Sequence, residues 1–198
     1  MIVQSGSFRG RPLKALGRQP WLRPTSDKAR EALMDVLRPI IGGARFVDTC
    51  CGTGAIGIEA LSNGASHAVF VDSDTRSIRL VTSNLRSLGL LEQALVMKAD
   101  AVAFASGLRG TEFDILFADP PFGSGLHNPL LETLAGHLCG EADGCIIVME
   151  HASREGLLDR YEGDAVTLRR YQERRYGDVS MAFFRAVRRD VPAVEGQR

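Results

Sequence analysis

Apolar positions change their period several times along this chain, and each change marks an element. Ala29, Ala32, Leu33, Val36 and Leu37 recur at helical spacing, with Thr25 or Ser26 as N-cap and Pro39 with Gly42-Gly43 as the stop. Arg45–Thr49, Ala68–Val71, Ala94–Lys98, Phe113–Ala118 and Cys145–Met149 are short apolar runs, which predict buried strands. Between them lie a helix ending near Asn63, an amphipathic helix carrying Ile78, Val81, Leu85 and Leu88, and a third helix over Leu130–Leu138. Gly64 and Gly89 stand where helices commonly end in a left-handed residue. Strands alternating with helices predict an α/β fold, a mostly parallel sheet with helices on both faces. Val166–Arg174 and Val179–Val187, joined at Gly177-Asp178, leave no room for a crossover helix and predict an antiparallel pair. The domain therefore spans 25–190, preceded by a Gly-, Arg- and Pro-rich arm or hairpin over 1–24 and followed by a disordered tail over 191–198.

Composition narrows the class. The chain has 198 residues, 44% hydrophobic and 24% charged, enough for one core without disulfides or a structural metal. No apolar run approaches the roughly 20 residues of a membrane span, and residues 1–14 lack the apolar stretch of a secretory signal, so the expected location is the cytoplasm. Cys50, Cys51, Cys139 and Cys145 lack zinc or redox spacing, and His67, His127, His137 and His151 are scattered, so no metal is expected. Net charge is zero, but residues 1–30 set Arg9, Arg11, Lys14, Arg18, Arg23, Lys28 and Arg30 against Asp27 alone, and 166–190 is basic again. Two polyanion-facing segments are candidates.

The first strand runs into a glycine turn, Gly52-x-Gly54-x-x-Gly57, that opens a helix, and the second strand is followed by Asp72. This is the geometry that binds adenosine-containing cofactors: glycines let the backbone approach, and the carboxylate grips the ribose diol. Asp48, just before the turn, chooses among them. A pyrophosphate would meet a like charge, whereas the ammonium and sulfonium of S-adenosylmethionine suit an acidic neighbour. The donor site is then Asp48, Gly52, Thr53, Gly54 and Asp72, with Asp100 and Ala101 at the end of the third strand placed for the adenine amine.

Asp119-Pro120-Pro121-Phe122 closes the fourth strand. Two prolines stiffen the backbone and remove two N–H donors, so the loop offers acceptors, a carboxylate and a flat apolar ring. Such a loop suits a planar base with an exocyclic amine. The amine would donate to Asp119 and the Pro120 carbonyl, which localises its lone pair, while Phe122 stacks on the ring.

The tetrapeptide resembles the (Asp/Asn)-Pro-Pro-(Tyr/Phe) motif of methyltransferases acting on exocyclic or amide nitrogens. The stretch from Arg23-Pro24-Thr25 to Glu31, the loop Gly52–Leu61 and the turn Arg175-Tyr176-Gly177-Asp178 are together similar to the RsmD-like family. The resemblance covers roughly residues 2–188. It implies a Rossmann-like S-adenosylmethionine-dependent methyltransferase fold with a seven-stranded sheet and a reversed last strand. It also implies methylation of a guanine N2 amine in 16S ribosomal RNA, free or within an assembling small subunit. Cys50-Cys51, where that family usually has Phe-Ala or Tyr-Ala, and Thr53 in place of Ser depart from the pattern. Arg9, Arg11, Lys14, Arg18 and Arg23 are the candidate RNA contacts. Other readings of the same residues are a DNA adenine or protein glutamine methyltransferase, a nucleotide-dependent oxidoreductase resting on the glycines, and an RNA-binding module resting on the basic ends.

Overall fold

The computed structural model describes residues 1–15, 27–108 and 112–189. The proposed N-cap Thr25 or Ser26, the candidate contacts Arg18 and Arg23, and the tail 191–198 lie outside these residues. Helix α1 (Asp27–Ile41) leads into β1 (Arg45–Thr49), α2 (Ala55–Ser62), β2 (His67–Asp72), α3 (Thr75–Leu88), β3 (Ala94–Lys98), α4 (Ala101–Gly107), β4 (Ile115–Ala118), α5 (His127–His137) and β5 (Ile146–Ala152). Three further strands follow, β6 (Arg160–Glu162), β7 (Val166–Tyr176) and β8 (Val179–Arg188).

All eight strands form one sheet in the order β3-β2-β1-β4-β5-β8-β7-β6. β1 to β5 are mutually parallel, whereas β8 is antiparallel to β5 and β7, and β6 to β7. The expected seventh-strand reversal is present, and β6 adds an eighth strand at the edge. β6 is only three residues long, too short to leave a period in the sequence. α4 was likewise not foreseen, because Ala101–Gly107 is short and rich in Ala and Gly. Helix α1 runs through Pro39 to Ile41 and stops at the expected Gly42-Gly43 pair. Within a last turn a proline deletes one backbone donor without having to end the helix.

Alternation along the strands splits the core in two. Phe46, Phe70, Phe117, Val148 and Phe183 point to the face covered by α1, α2 and α3. Val47, Leu116, Ile147, Met149 and Phe184 point to the face covered by α4 and α5. The glycine loop follows from this packing. A Cβ on Gly57 would lie 2.3 Å from Phe70 Cε1, and one on Gly54, whose φ is +74°, would lie 2.3 Å from Val81 Cγ2. Only glycine lets α2 press this closely onto β2 and α3.

Residues 1–13 fold into a small hairpin, bridged between Ile2 and Pro12, that lies on α2. Val3 and Leu13 are buried. Glu59 on α2 accepts from the Gln4 and Ser5 amides and pairs with Arg30 on α1 at 3.1 Å, while Arg30 also donates to the Ile2 carbonyl. Asn84 on α3 clamps residue 14 from both sides, accepting from its amide and donating to its carbonyl. Both members of the Arg30–Glu59 pair are buried, so removing one strands the other in low dielectric. Arg30→Met should therefore destabilise the fold by about 3–5 kcal/mol in urea unfolding. A loss below about 1 kcal/mol would show that Glu59 is satisfied by the hairpin amides alone.

Candidate active site

The carboxyl ends of β1, β2 and β4 meet at the point where the chain's connections turn to opposite sides of β1, the place where open α/β sheets bind ligands. A cavity of about 360 Å³ opens there. Its wall contains Asp48, Gly52, Thr53, Asp72, Asp100, Ala101, Asp119, Pro120, Pro121 and Phe122, so one space unites the expected donor site and the tetrapeptide. Gly54 instead sits behind the loop against Val81.

The loop owes its shape to Asp72. One carboxylate oxygen accepts from the Gly52 amide at 2.9 Å, the other from the Asp74 amide at 2.8 Å. Each oxygen keeps a second lone pair for a ligand hydroxyl. Cys50, just upstream, holds φ at 57°, the one left-handed non-glycine among the described residues. That conformation costs roughly 1–2 kcal/mol for a residue with a Cβ. It carries the chain from the end of β1 into a turn closed by the Gly54 amide donating to the Cys51 carbonyl.

Asp48 is 1% exposed and accepts from the Gly57 amide at 2.9 Å. Burial raises its pKa well above the ordinary value, against the pull of that hydrogen bond, and the Asp72 charge raises it further. Asp119 is raised in the same way, by burial and then by Glu150 and Asp48. The Cys50 thiol is pushed up to about 12 by burial and by the charges of Asp72, Asp119, Asp48 and Asp100. The thiol is therefore protonated, a packing group and not a nucleophile.

Asp100 has a role that the sequence reading missed. Its Oδ1 accepts from the Val102 and Ala103 amides and so caps α4, leaving Oδ2 for a ligand. Asp is among the preferred N-cap residues, and that is the signal in the sequence for this second role. Met1 and Arg30 also reach the wall unforeseen. Arg30 could have been found as the one charged residue among Ala29, Leu33, Met34 and Leu37 on the buried stripe of α1. Phe122 is 43% exposed at the rim.

Five aspartates (Asp48, Asp72, Asp74, Asp100 and Asp119) face the cavity against Arg30, which is already engaged by Glu59 and Asp27. An anionic pyrophosphate is repelled from such a wall, and a cationic sulfonium with an ammonium is attracted.

Comparison with known proteins agrees with this chemistry. The family model described as Conserved hypothetical protein 95 matches residues 1–185. The chain is 36% identical to Ribosomal RNA small subunit methyltransferase D of Escherichia coli over 157 residues, covering 78% of this chain and 76% of that one. The chain belongs to the RsmD-like methyltransferase family. It is also 38% identical to YlbH of Bacillus subtilis, over 93% of this chain and 98% of that one. The solved structure of Escherichia coli yhhF superposes with a TM-score of 0.78 at 28% identity, covering 94% of this chain and 98% of that one. The acids on the cavity wall suit S-adenosylmethionine as the methyl donor of such a methyltransferase.

Two predictions follow from the RsmD-like pocket. Asp72→Ala should weaken S-adenosylmethionine binding roughly 10–100-fold, the loss of a charge-assisted hydrogen bond; calorimetry showing unchanged affinity would remove Asp72 from the site. Asp48→Asn should also weaken binding, but it should stabilise the fold. A raised native pKa means that Asp48 costs stability as pH rises above its ordinary 3.8, and the neutral isostere avoids that cost while still accepting from Gly57. The variant should melt a few degrees higher at pH 7, lose that gain as pH falls toward 4, and bind cofactor more weakly. A lower melting temperature at pH 7 would contradict the account.

Proposed function

We propose that this chain methylates the exocyclic N2 amine of a guanine in 16S ribosomal RNA in the cytoplasm, the RNA being free or within an assembling small subunit. The observation that carries this reading is the shared cavity: the acceptor-rich loop Asp119–Phe122 opens onto the same space as the acids suited to a cationic donor. The names of the RsmD-like relatives, ribosomal RNA small subunit methyltransferases, support the substrate class. A nucleotide-dependent oxidoreductase fits poorly, because its cofactor would bring a pyrophosphate to Asp48 and Asp72.

S-adenosylmethionine, when bound, supplies an electrophilic methyl group on a sulfonium. The chain's own residues do the rest. Asp48, Asp72 and Asp100 hold the donor, and its positive charge favours the ionised form of the neighbouring Asp119. The guanine amine donates to the Asp119 carboxylate and to the Pro120 carbonyl, which turns its lone pair out of conjugation and toward the methyl carbon. Phe122, exposed at the rim, stacks on the base. An amine nitrogen that took the methyl group would carry one proton too many. Asp119, whose burial makes it a stronger base than an ordinary carboxylate, takes that proton. Arg9, Arg11 and Lys14 are exposed on the hairpin that brings Met1 to the cavity wall, and they supply phosphate contacts beside the site. Arg18 and Arg23 are proposed to extend them.

Asp119→Ala should lower turnover about 10²–10³-fold with a small effect on cofactor affinity, and Phe122→Ala should weaken base capture by roughly 1–3 kcal/mol. Mapping methylated nucleosides in ribosomal RNA from cells lacking and regaining the protein tests the assignment. One N2-methylguanosine in 16S RNA should vanish and return. An unchanged 16S map, or a modified adenine, would overturn the proposed target.

A further inference from the structure

The antiparallel edge of the sheet carries an arrangement that the methyl-transfer chemistry does not use. Register places Arg160 of β6 opposite Arg169 of β7, and Arg169 opposite Arg185 of β8. Three arginines thus stand side by side across three strands on one face, neighbours separated by about 4.8 Å in the hydrogen-bonding direction. Like charges directly opposite destabilise a sheet, so the row is a cost to folding that a ligand would offset.

The surroundings do not neutralise it. Arg160 pairs with Glu162 at 2.9 Å, but among the described residues neither Arg169 nor Arg185 forms an ion pair. The acids of this edge lie mostly on the other face. There Arg170 is held by Asp159 and Glu173, and Glu173 approaches His151. The register shift between Arg170 and Gln172 leaves Tyr171 half exposed beside the row, and the Arg185 guanidinium stands 5.5 Å from its ring centroid. That contact fixes Arg185 without consuming its donors.

The basic face continues toward the site. Arg174 is exposed on the same face, in register with Met181 and through it with Glu150. Glu150 lies one residue beyond the Ala118–Met149 pair, level with Asp119.

We propose that this face of β6–β8 is an RNA-docking surface, with the Arg160–Arg169–Arg185 row gripping phosphates of the strand or helix that flanks the target base. The proposal rests on the RNA reading above and adds to it a second surface, at the opposite end of the chain from the N-terminal hairpin. A polyanion is the partner that a row of three arginines fits, since a guanidinium can hold a phosphate through two donors, and Arg169 and Arg185 have no acid on theirs among the described residues. RNA is favoured over an acidic protein because the basic face leads up to the level of the methyl-accepting loop.

The test compares the full chain with the triple variant Arg160→Gln, Arg169→Gln, Arg185→Gln, using a 16S RNA fragment at several salt concentrations. Each lost phosphate contact should remove roughly 0.7–0.9 from the slope of log affinity against log salt, so the slope should become shallower by about two units. Affinity should drop at least about tenfold and KM for RNA should rise, with kcat at saturation and S-adenosylhomocysteine affinity unchanged. The corresponding triple lysine variant should keep most of the slope. Wild-type slope and KM in the glutamine variant would overturn the surface while leaving the RNA reading intact. Failure of the wild-type chain itself to bind and methylate RNA would instead overturn that reading, and this surface with it. If the triple variant loses its melting transition, the exposed single change Arg169→Glu carries the same test, with a slope loss of about one unit expected and an unchanged slope contradicting it.

Discussion

The structure depends on keeping a buried carboxylate, Asp48, close to several others around one cavity, with almost no cation beside them. Asp48 and Asp119 sit at neighbouring strand ends, with Asp72 at the end of β2 and Asp100 at the cap of α4. Burial and the charge of Asp72 raise the cost of ionising Asp48, and burial with the charges of Glu150 and Asp48 does the same for Asp119. Backbone donors only soften it: Gly57 for Asp48, Gly52 and Asp74 for Asp72, and the first turn of α4 for Asp100. These same donors shape the loop, so the feature that lowers stability is also the one that sets the pocket's geometry. A cationic donor converts the cost into binding energy.

The N-terminal half of the chain serves this arrangement from behind. α2 must lie close on β2 for the Gly57 amide to reach Asp48, and the Phe70 ring leaves no room for a Cβ at Gly57. The hairpin then locks α2 to α1 through Glu59 and Arg30, and to α3 through Asn84. A buried ion pair is a weak source of net stability but a strong constraint on geometry once formed. Here it fixes the wall that Met1 and Arg30 contribute to the cavity.

Much of this was legible before the structure. Each strand that ends in a glycine turn, an acid or a proline pair announced itself, because a buried strand must stop where polar chemistry begins. Asp48, Asp72, Asp100 and the tetrapeptide were found by that rule and do share one cavity. What stayed hidden was hidden for physical reasons. α4 has no amphipathic period in its seven residues, and Asp100 looked like a ligand, not also a cap. β6 is too short to show alternation. Arg30 counted as surface charge until its apolar neighbours on α1 were seen to be buried. The arginine row needs the register of three strands, and the bulge at Tyr171 shifts that register, so no spacing along the chain could reveal it.

The central claim is that an anionic cavity selects a cationic methyl donor over a dinucleotide with the same adenosine half. Calorimetric titration of the wild-type chain with S-adenosylmethionine and with NAD, in parallel at pH 7 and low salt, tests it directly. The account predicts saturable binding of S-adenosylmethionine, weakening as salt rises, and no measurable heat from NAD. Binding of NAD with comparable affinity would contradict it.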